Sequence, residues 1–219
     1  MTIHILTLFP DYFTNIIDSS ILKRAQSKNI VQFEIVNIRD FATDKHQTAD
    51  DRPYGGGPGM VMKIEPISRA LSATKASFSG KKVKTILTSA KGRLFTQNVA
   101  QEYSQLDDIV IVCGHYEGVD ERVADYLVDE EVRIGDYVLT GGEPAAMVIS
   151  DTVSRLIEGV LGNDCSNQNE SHSEPGKMGF PQYSRPEIFN GWVVPAVLLN
   201  GNHKEIYAWR EEHRSKDSH

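Results

Sequence analysis

The chain is poor in cysteine, in long apolar runs and in net positive charge, and each shortage closes off a class of protein. Only Cys113 and Cys165 occur among 219 residues, one inside an apolar run and the other in a polar stretch. Two distant thiols supply neither a disulfide framework nor a CxxC zinc site, and the isolated histidines form no ligand pattern, so no structural transition metal is expected. The longest apolar stretches, such as Ile109 to Cys113, fall far short of the roughly 18–20 residues that a membrane span needs. The amino terminus has no basic leader and no small-residue cleavage site before Asp11, which reads as a soluble, cytoplasmic protein without a membrane partner. A formal charge of −7, from 23 Lys+Arg against 30 Asp+Glu, argues against a uniformly basic nucleic-acid coat.

What charge there is lies unevenly. Arg69, Lys75, Lys81, Lys82, Lys84, Lys91 and Arg93 fall between Pro66 and Gln101 with no Asp or Glu among them. Glu102 to Glu143 then holds twelve acids against Arg122 and Arg133. Two readings stay open: a basic face that meets an anion, or segments of opposite sign that pair within the fold or across a dimer.

With 40% hydrophobic and 24% charged residues the composition is that of an ordinary globular domain. Strand-like apolar runs at Ile3–Phe9, Phe33–Ile38, Val83–Ser89, Ile109–Cys113 and Val132–Ile134 alternate with helical spacing. Helices are expected over Asp11–Ser27, Pro66–Lys75, Thr96–Ser104, Val119–Leu127, Pro144–Ile157 and His203–Arg214. The alternation predicts an α/β domain with a mainly parallel sheet. From Gly162 to Gly179 apolar residues almost vanish, as in a flexible linker. The expected division is therefore a domain over 1–161, a linker over 162–179 and a small helical unit over 180–219.

Nine of the 17 glycines cluster in three short loops: Gly55, Gly56, Gly57 and Gly59; Gly114 and Gly118; Gly135, Gly141 and Gly142. Loops at strand ends are where open α/β sheets bind ligands, and glycine lets backbone polar groups approach a flat one. No GK[ST] follows the first loop and its spacing is not G-x-G-x-x-G, which sets aside a Walker-type or dinucleotide site.

The strings DRPYGGGPGM at 51–60, CGHYEGVDER at 113–122 and IGDYVLTGGE at 134–143, with DTVSR at 151–155, PQYSRP at 181–186 and GNH at 201–203, together resemble the TrmD family of tRNA (guanine-N1)-methyltransferases, over nearly the whole chain. The resemblance implies the SPOUT class: an α/β domain with a deep trefoil knot and a small helical carboxy-terminal domain that binds tRNA, expected to be shortened here. It implies S-adenosylmethionine (SAM) as cofactor, held by Gly114, Ile134, Gly135, Asp136, Tyr137, Val138 and Leu139, with Tyr116, Glu117, Gly141 and Gly142 close by. It further implies a homodimer with its sites between subunits, and methyl transfer to N1 of guanosine 37 in tRNA. On the same footing, Asp51, Arg52, Tyr54, Gly55, Gly56 and Gly57 meet the substrate, and Mg²⁺ assists without ligands that the sequence can name.

N1 of guanine carries a proton, so the transfer needs a general base and a cation near O6. By motif the cation is Arg155. The family's Asp-Ser-Phe linker triplet is matched here by Glu170-Ser171-His172, which makes Glu170 the expected base, with Asp164 and Glu174 as neighbours that could substitute. The alternatives are a SAM- and tRNA-binding module with impaired catalysis and a related knotted methyltransferase of ribosomal RNA.

Overall fold

A computed structural model describes residues 1–76, 78–162, 170–173 and 176–214. In chain order its elements are β1 (Thr2–Thr7), α1 (Asp11–Ile17), α2 (Ser20–Ser27), β2 (Gln32–Asn37), β3 (Asp50–Asp51), β4 (Val61–Met62), α3 (Ile64–Lys75), β5 (Val83–Leu94), α4 (Gln97–Ser104), β6 (Asp108–Cys113), α5 (Glu121–Tyr126), β7 (Glu130–Arg133), α6 (Glu143–Ser154), β8 (Ile188–Phe189), β9 (Trp192–Val193) and α7 (His203–Glu212). All five expected strands join one sheet in the order β2-β1-β6-β5-β7, and every pairing in it is parallel. The chain divides into two compact units, Met1–Gly162 and Asn163–His219.

In the first unit, strand side chains alternate between two apolar layers. Ile3, Ile5, Ile86, Ile109, Ile111 and Cys113 join Phe13, Leu22, Val99, Tyr103 and Ile149 from the helices on one side. Leu6, Leu87, Val110 and Val112 meet Ile67, Ala70, Leu71 and Val123 on the other. Covering both faces is what a parallel sheet requires, and it explains why β6 reads as an unbroken apolar run.

Two expectations change. The helix expected over Asp11–Ser27 is two helices: Ser19 Oγ donates to the Ile16 carbonyl at 2.9 Å, and Ser20 adopts a φ of 45°, which breaks the run. β5 continues past Ser89, because after a register shift between Thr88 and Arg93 the chain pairs with β7 a second time. The open question about charge also closes for this unit. Lys81 meets Asp108, Lys84 meets Glu130, Lys91 meets Glu121 and Glu131, and Arg93 meets Glu102 and Glu130. Much of the basic segment is thus neutralised by the acidic segment within the fold.

His4 is a buried titratable group on the β1 face opposite Ile3 and Ile5. Burial lowers its pKa against the pull of Glu34, whose Oε2 lies 2.9 Å from Nδ1, and of Asp108; Lys81 adds to the lowering. The unfolded chain therefore takes up this proton first, and stability is intact above pH ~6.5 and declines as pH falls below it. Thermal melts between pH 7.5 and 5 should show that decline, with His4→Gln flattening it; equal slopes for both proteins would contradict this assignment.

The second unit is small. β8 and β9 form a hairpin through Asn190-Gly191, both at positive φ (51° and 82°), as a two-residue type I′ turn demands. Asn202 caps α7 by accepting from the Lys204 and Glu205 amides, while its Nδ2 donates to Glu205 at 2.7 Å. Arg210 and Arg214 lie over the Phe180 ring, at 4.7 and 5.2 Å from its centre. Ile188, Phe189, Trp192 and Val193 are exposed. Within the expected linker, Ser171 Oγ accepts from the Gly179 amide at 2.9 Å, and the Glu170 carbonyl accepts from Ser173 Oγ at 2.8 Å. Residues 163–169, 174 and 175 of that linker lie outside the described residues.

Candidate active site

At the carboxyl ends of β6 and β7, alongside the middle of β5, the chain leaves a cavity of about 490 Å³. Its walls are the Leu87–Lys91 stretch of β5, the Gly114–Val119 loop after β6, Glu121 and Ala124 of α5, Glu131–Arg133 of β7 with the Ile134–Gly142 segment that follows apart from Asp136, and Ala145 of α6. The position follows from topology, since strand ends in an open parallel sheet leave a crevice that neighbouring loops close.

Gly142 is the tightest point of that closure. Its N–H donates to the Gly114 carbonyl at 2.7 Å, tying the third loop to the second just before α6 begins. A Cβ there would overlap Thr88 Oγ1 and lie 2.8 Å from the Gly114 nitrogen. Thr88 Oγ1 accepts the Gly114 N–H at 3.1 Å and donates to the Val112 carbonyl at 3.2 Å. One buried hydroxyl thus sets the spacing of two loops.

Ten of the eleven residues expected at a cofactor line this cavity: Gly114, Tyr116, Glu117, Ile134, Gly135, Tyr137, Val138, Leu139, Gly141 and Gly142. Asp136 does not; its carboxylate is exposed and takes a 2.9 Å bond from Arg133 Nε. The glycine-rich loop is tied to the cavity wall at its base. Glu117 packs against Gly59 and donates its N–H to the Met60 carbonyl at 3.0 Å. Asp51, Arg52, Tyr54, Gly55, Gly56 and Gly57 stand exposed and outside the cavity wall. Arg155 is half-buried at the end of α6, where its N–H bonds the Asp151 carbonyl at 3.1 Å. Glu170, also half-buried, belongs to the second unit.

Sequence reasoning did not single out several wall residues. Glu131 and Arg133 line the cavity, yet neither stands in a glycine-rich loop or in a motif that draws attention to it. Lys91 bonds Glu121, which raises its pKa, so it stays cationic at the cavity wall. Three acids, Glu117, Glu121 and Glu131, face that lysine and Arg133 around the space. Cys113, directly beneath, is fully buried and its thiol pKa is raised by desolvation and by Glu143. It is held as the neutral thiol and is no nucleophile.

Fold and cavity together define an open α/β protein with a cavity between glycine-containing loops. The chain belongs to the tRNA (guanine-1)-methyltransferase TrmD family, whose pattern matches residues 1–219. Among its relatives, a protein of Carboxydothermus hydrogenoformans named tRNA (guanine-N(1)-)-methyltransferase is 54% identical over 212 residues, covering 97% of this chain and 82% of its own length. A protein of the same name from Geobacter sp. (strain M21) is 54% identical over 216 residues, 99% of this chain and 86% of its own. Another, from Staphylococcus carnosus, is 50% identical over 214 residues, 98% and 86% respectively.

Proposed function

We propose that this chain transfers the methyl group of SAM to N1 of guanosine 37 in tRNA, beside the anticodon. The observation that carries this reading is the meeting of the Gly114–Val119 loop and the Ile134–Gly142 loop on one cavity, in a chain of a tRNA (guanine-1)-methyltransferase family.

The cavity suits SAM. Main-chain groups at Gly114, Gly135, Gly141 and Gly142 are bare of side chains, Ile134, Val138 and Leu139 offer apolar contact for a purine, and an excess of carboxylates favours a sulfonium cation. When bound, SAM supplies an electrophilic methyl group. The protein's part is to present guanine N1 in line with that methyl, exclude water and move one proton. Glu170 accepts the N1 proton as general base, and Arg155 steadies the negative charge that grows on O6. Arg155→Ala should lower single-turnover transfer by about 10²- to 10³-fold at saturating SAM, the usual loss for one charge-stabilising donor; an unchanged rate would remove Arg155 from this role.

Among the described residues no three His, Cys, Asp or Glu side chains come together as a metal site. Assistance by Mg²⁺ therefore has no assigned ligands. Asp51, Arg52, Tyr54 and Gly55 to Gly57, exposed beside the cavity, are offered to the anticodon loop. The exposed Phe189 and Trp192 and the cations of α7 are offered to the rest of the tRNA, as stacking surfaces and phosphate contacts.

The protein acts as a homodimer in the cytoplasm, its sites completed between subunits, and the SPOUT trefoil knot carries the cavity loops. Exposed Tyr12 and Ile16, four residues apart on α1, with Val148 on the neighbouring α6, are the apolar surface that supports a dimer. No described helix is long and apolar enough to cross a membrane. The reading is tested by digesting tRNA to nucleosides after incubation with labelled SAM. Label in 1-methylguanosine is expected, whereas label in another nucleoside, or only in ribosomal RNA, would overturn it. No label with SAM binding intact would favour the binding module.

A further inference from the structure

Beneath the cavity lies a polar pair that the proposed chemistry leaves unused. Glu143 opens α6 and is buried; Thr7 Oγ1, at the end of β1, donates to its Oε1 at 2.8 Å and itself accepts the Phe9 N–H at 2.9 Å. Glu143 Oε2 lies 3.7 Å from His115 Nδ1. That nitrogen is shut off from solvent and has no hydrogen-bond partner among the described residues. The imidazole is held in place by the Phe9 and Tyr116 rings, at 4.8 and 5.1 Å between centres. Gly141 runs past both groups: a Cβ there would strike the Glu143 carboxylate and His115 Nδ1 together. His115 and Gly141 also form a main-chain bridge, the second point at which the two cavity loops touch.

A gap of 3.7 Å is beyond hydrogen-bond reach, yet a shift of about 1 Å would close it. Active-site hydrogen bonds are often long before ligand arrives and tighten in the complex. A buried donor and a buried carboxylate facing each other across so small a gap both gain when it closes.

We propose that His115 and Glu143 are the latch of the SAM pocket: a ligand drawing the Leu139–Gly142 segment onto the Gly114–Gly118 loop closes the bond from His115 Nδ1–H to Glu143 Oε2. Glu143 thereby fixes the Nδ1–H tautomer and leaves Nε2 as the acceptor. Both are positioning residues, and neither takes the N1 proton. The latch rests on the SAM reading of the cavity.

Calorimetry of SAM binding, run beside steady-state methyl transfer, tests it through two substitutions at His115. His115→Leu removes the donor at similar volume and should raise both Kd and KM for SAM about tenfold, with kcat within about threefold. His115→Asn keeps an N–H near the Nδ1 position and should restore affinity to within about threefold of wild type. Nitrogen-15 spectra of histidine-labelled protein supply a readout that packing alone would not move: on adding SAM, His115 Nδ1 should show a protonated signal and Nε2 an unprotonated one. Leu and Asn variants that behave alike, or an Nε2–H tautomer in the complex, would overturn the latch. A wild-type chain that binds no SAM would instead overturn the cavity reading, and the latch with it.

Discussion

Glu170→Gln should lower single-turnover methyl transfer by about 10²- to 10⁴-fold, the range lost when a general base is removed, while SAM affinity stays within about twofold. The substitution keeps the shape of the side chain and removes only its ability to take a proton. Guanine N1 is protonated at neutral pH, so without a base the nucleophile is the far weaker neutral ring. Glutamate carries its carboxylate one methylene further from the main chain than the aspartate of the family triplet does. Displacements near 1 Å matter to reacting groups, so Glu170→Asp is the informative companion. Retention of activity in the aspartate variant together with its loss in the glutamine variant assigns the proton to this position. Equal rates for wild type and Glu170→Gln in rapid-quench measurements would move the role to another residue.

Gly142→Ala has the second large effect, and its origin is steric. The added methyl overlaps Thr88 Oγ1 and meets the Gly114 nitrogen at 2.8 Å, so two loops must separate or the Thr88 hydroxyl must swing away from both its partners. Overpacking of this kind costs about 1–3 kcal/mol of stability. Because Gly142 donates to Gly114 within the cavity wall, the same shift spoils the pocket, and SAM affinity should fall at least about tenfold. Thr88→Ser in the same background keeps the hydroxyl and should not relieve the loss, whereas Thr88→Ala should relieve part of it. Calorimetry and thermal melts check both; wild-type affinity in Gly142→Ala would show that the loops are not set by this contact.

The sheet was legible because its signal is local. β6 reads as an apolar run since it is buried on both faces, and Thr96 accepts the Val99 amide as the cap of α4, as its sequence position suggests. The break at Ser19-Ser20 was not legible, because Phe13, Ile17, Ile21 and Ala25 on its two sides pack into one apolar layer and keep a spacing of four across it. The overrun of β5 was hidden for a different reason: it depends on pairing with β7, and nothing in residues 89–94 announces a partner some forty positions away. The β8–β9 hairpin escaped notice because its strands are two residues long, although Asn190-Gly191 is the turn dipeptide that could have flagged it.

For the candidate site, glycine clustering and family motifs pointed to two loops that form the cavity and to a third, at Gly55–Gly59, outside its wall, while the contacts that set the loops' spacing stayed invisible. Thr7 and Glu143 are 136 positions apart and meet only because β1 ends beside the start of α6. Thr88 lies in a strand whose pattern calls for burial, and its hydroxyl matters through main-chain atoms 24 and 26 residues away. Asp136 shows the converse, since a motif position that suggests cofactor contact turns its carboxylate to Arg133 instead.

The most direct test of the central claim uses two tRNA transcripts, identical except for G or A at position 37, incubated with labelled SAM and excess protein. Label on the G37 transcript alone, recovered as 1-methylguanosine, is the predicted result. Equal labelling of both transcripts, or of neither while SAM still binds, would contradict it.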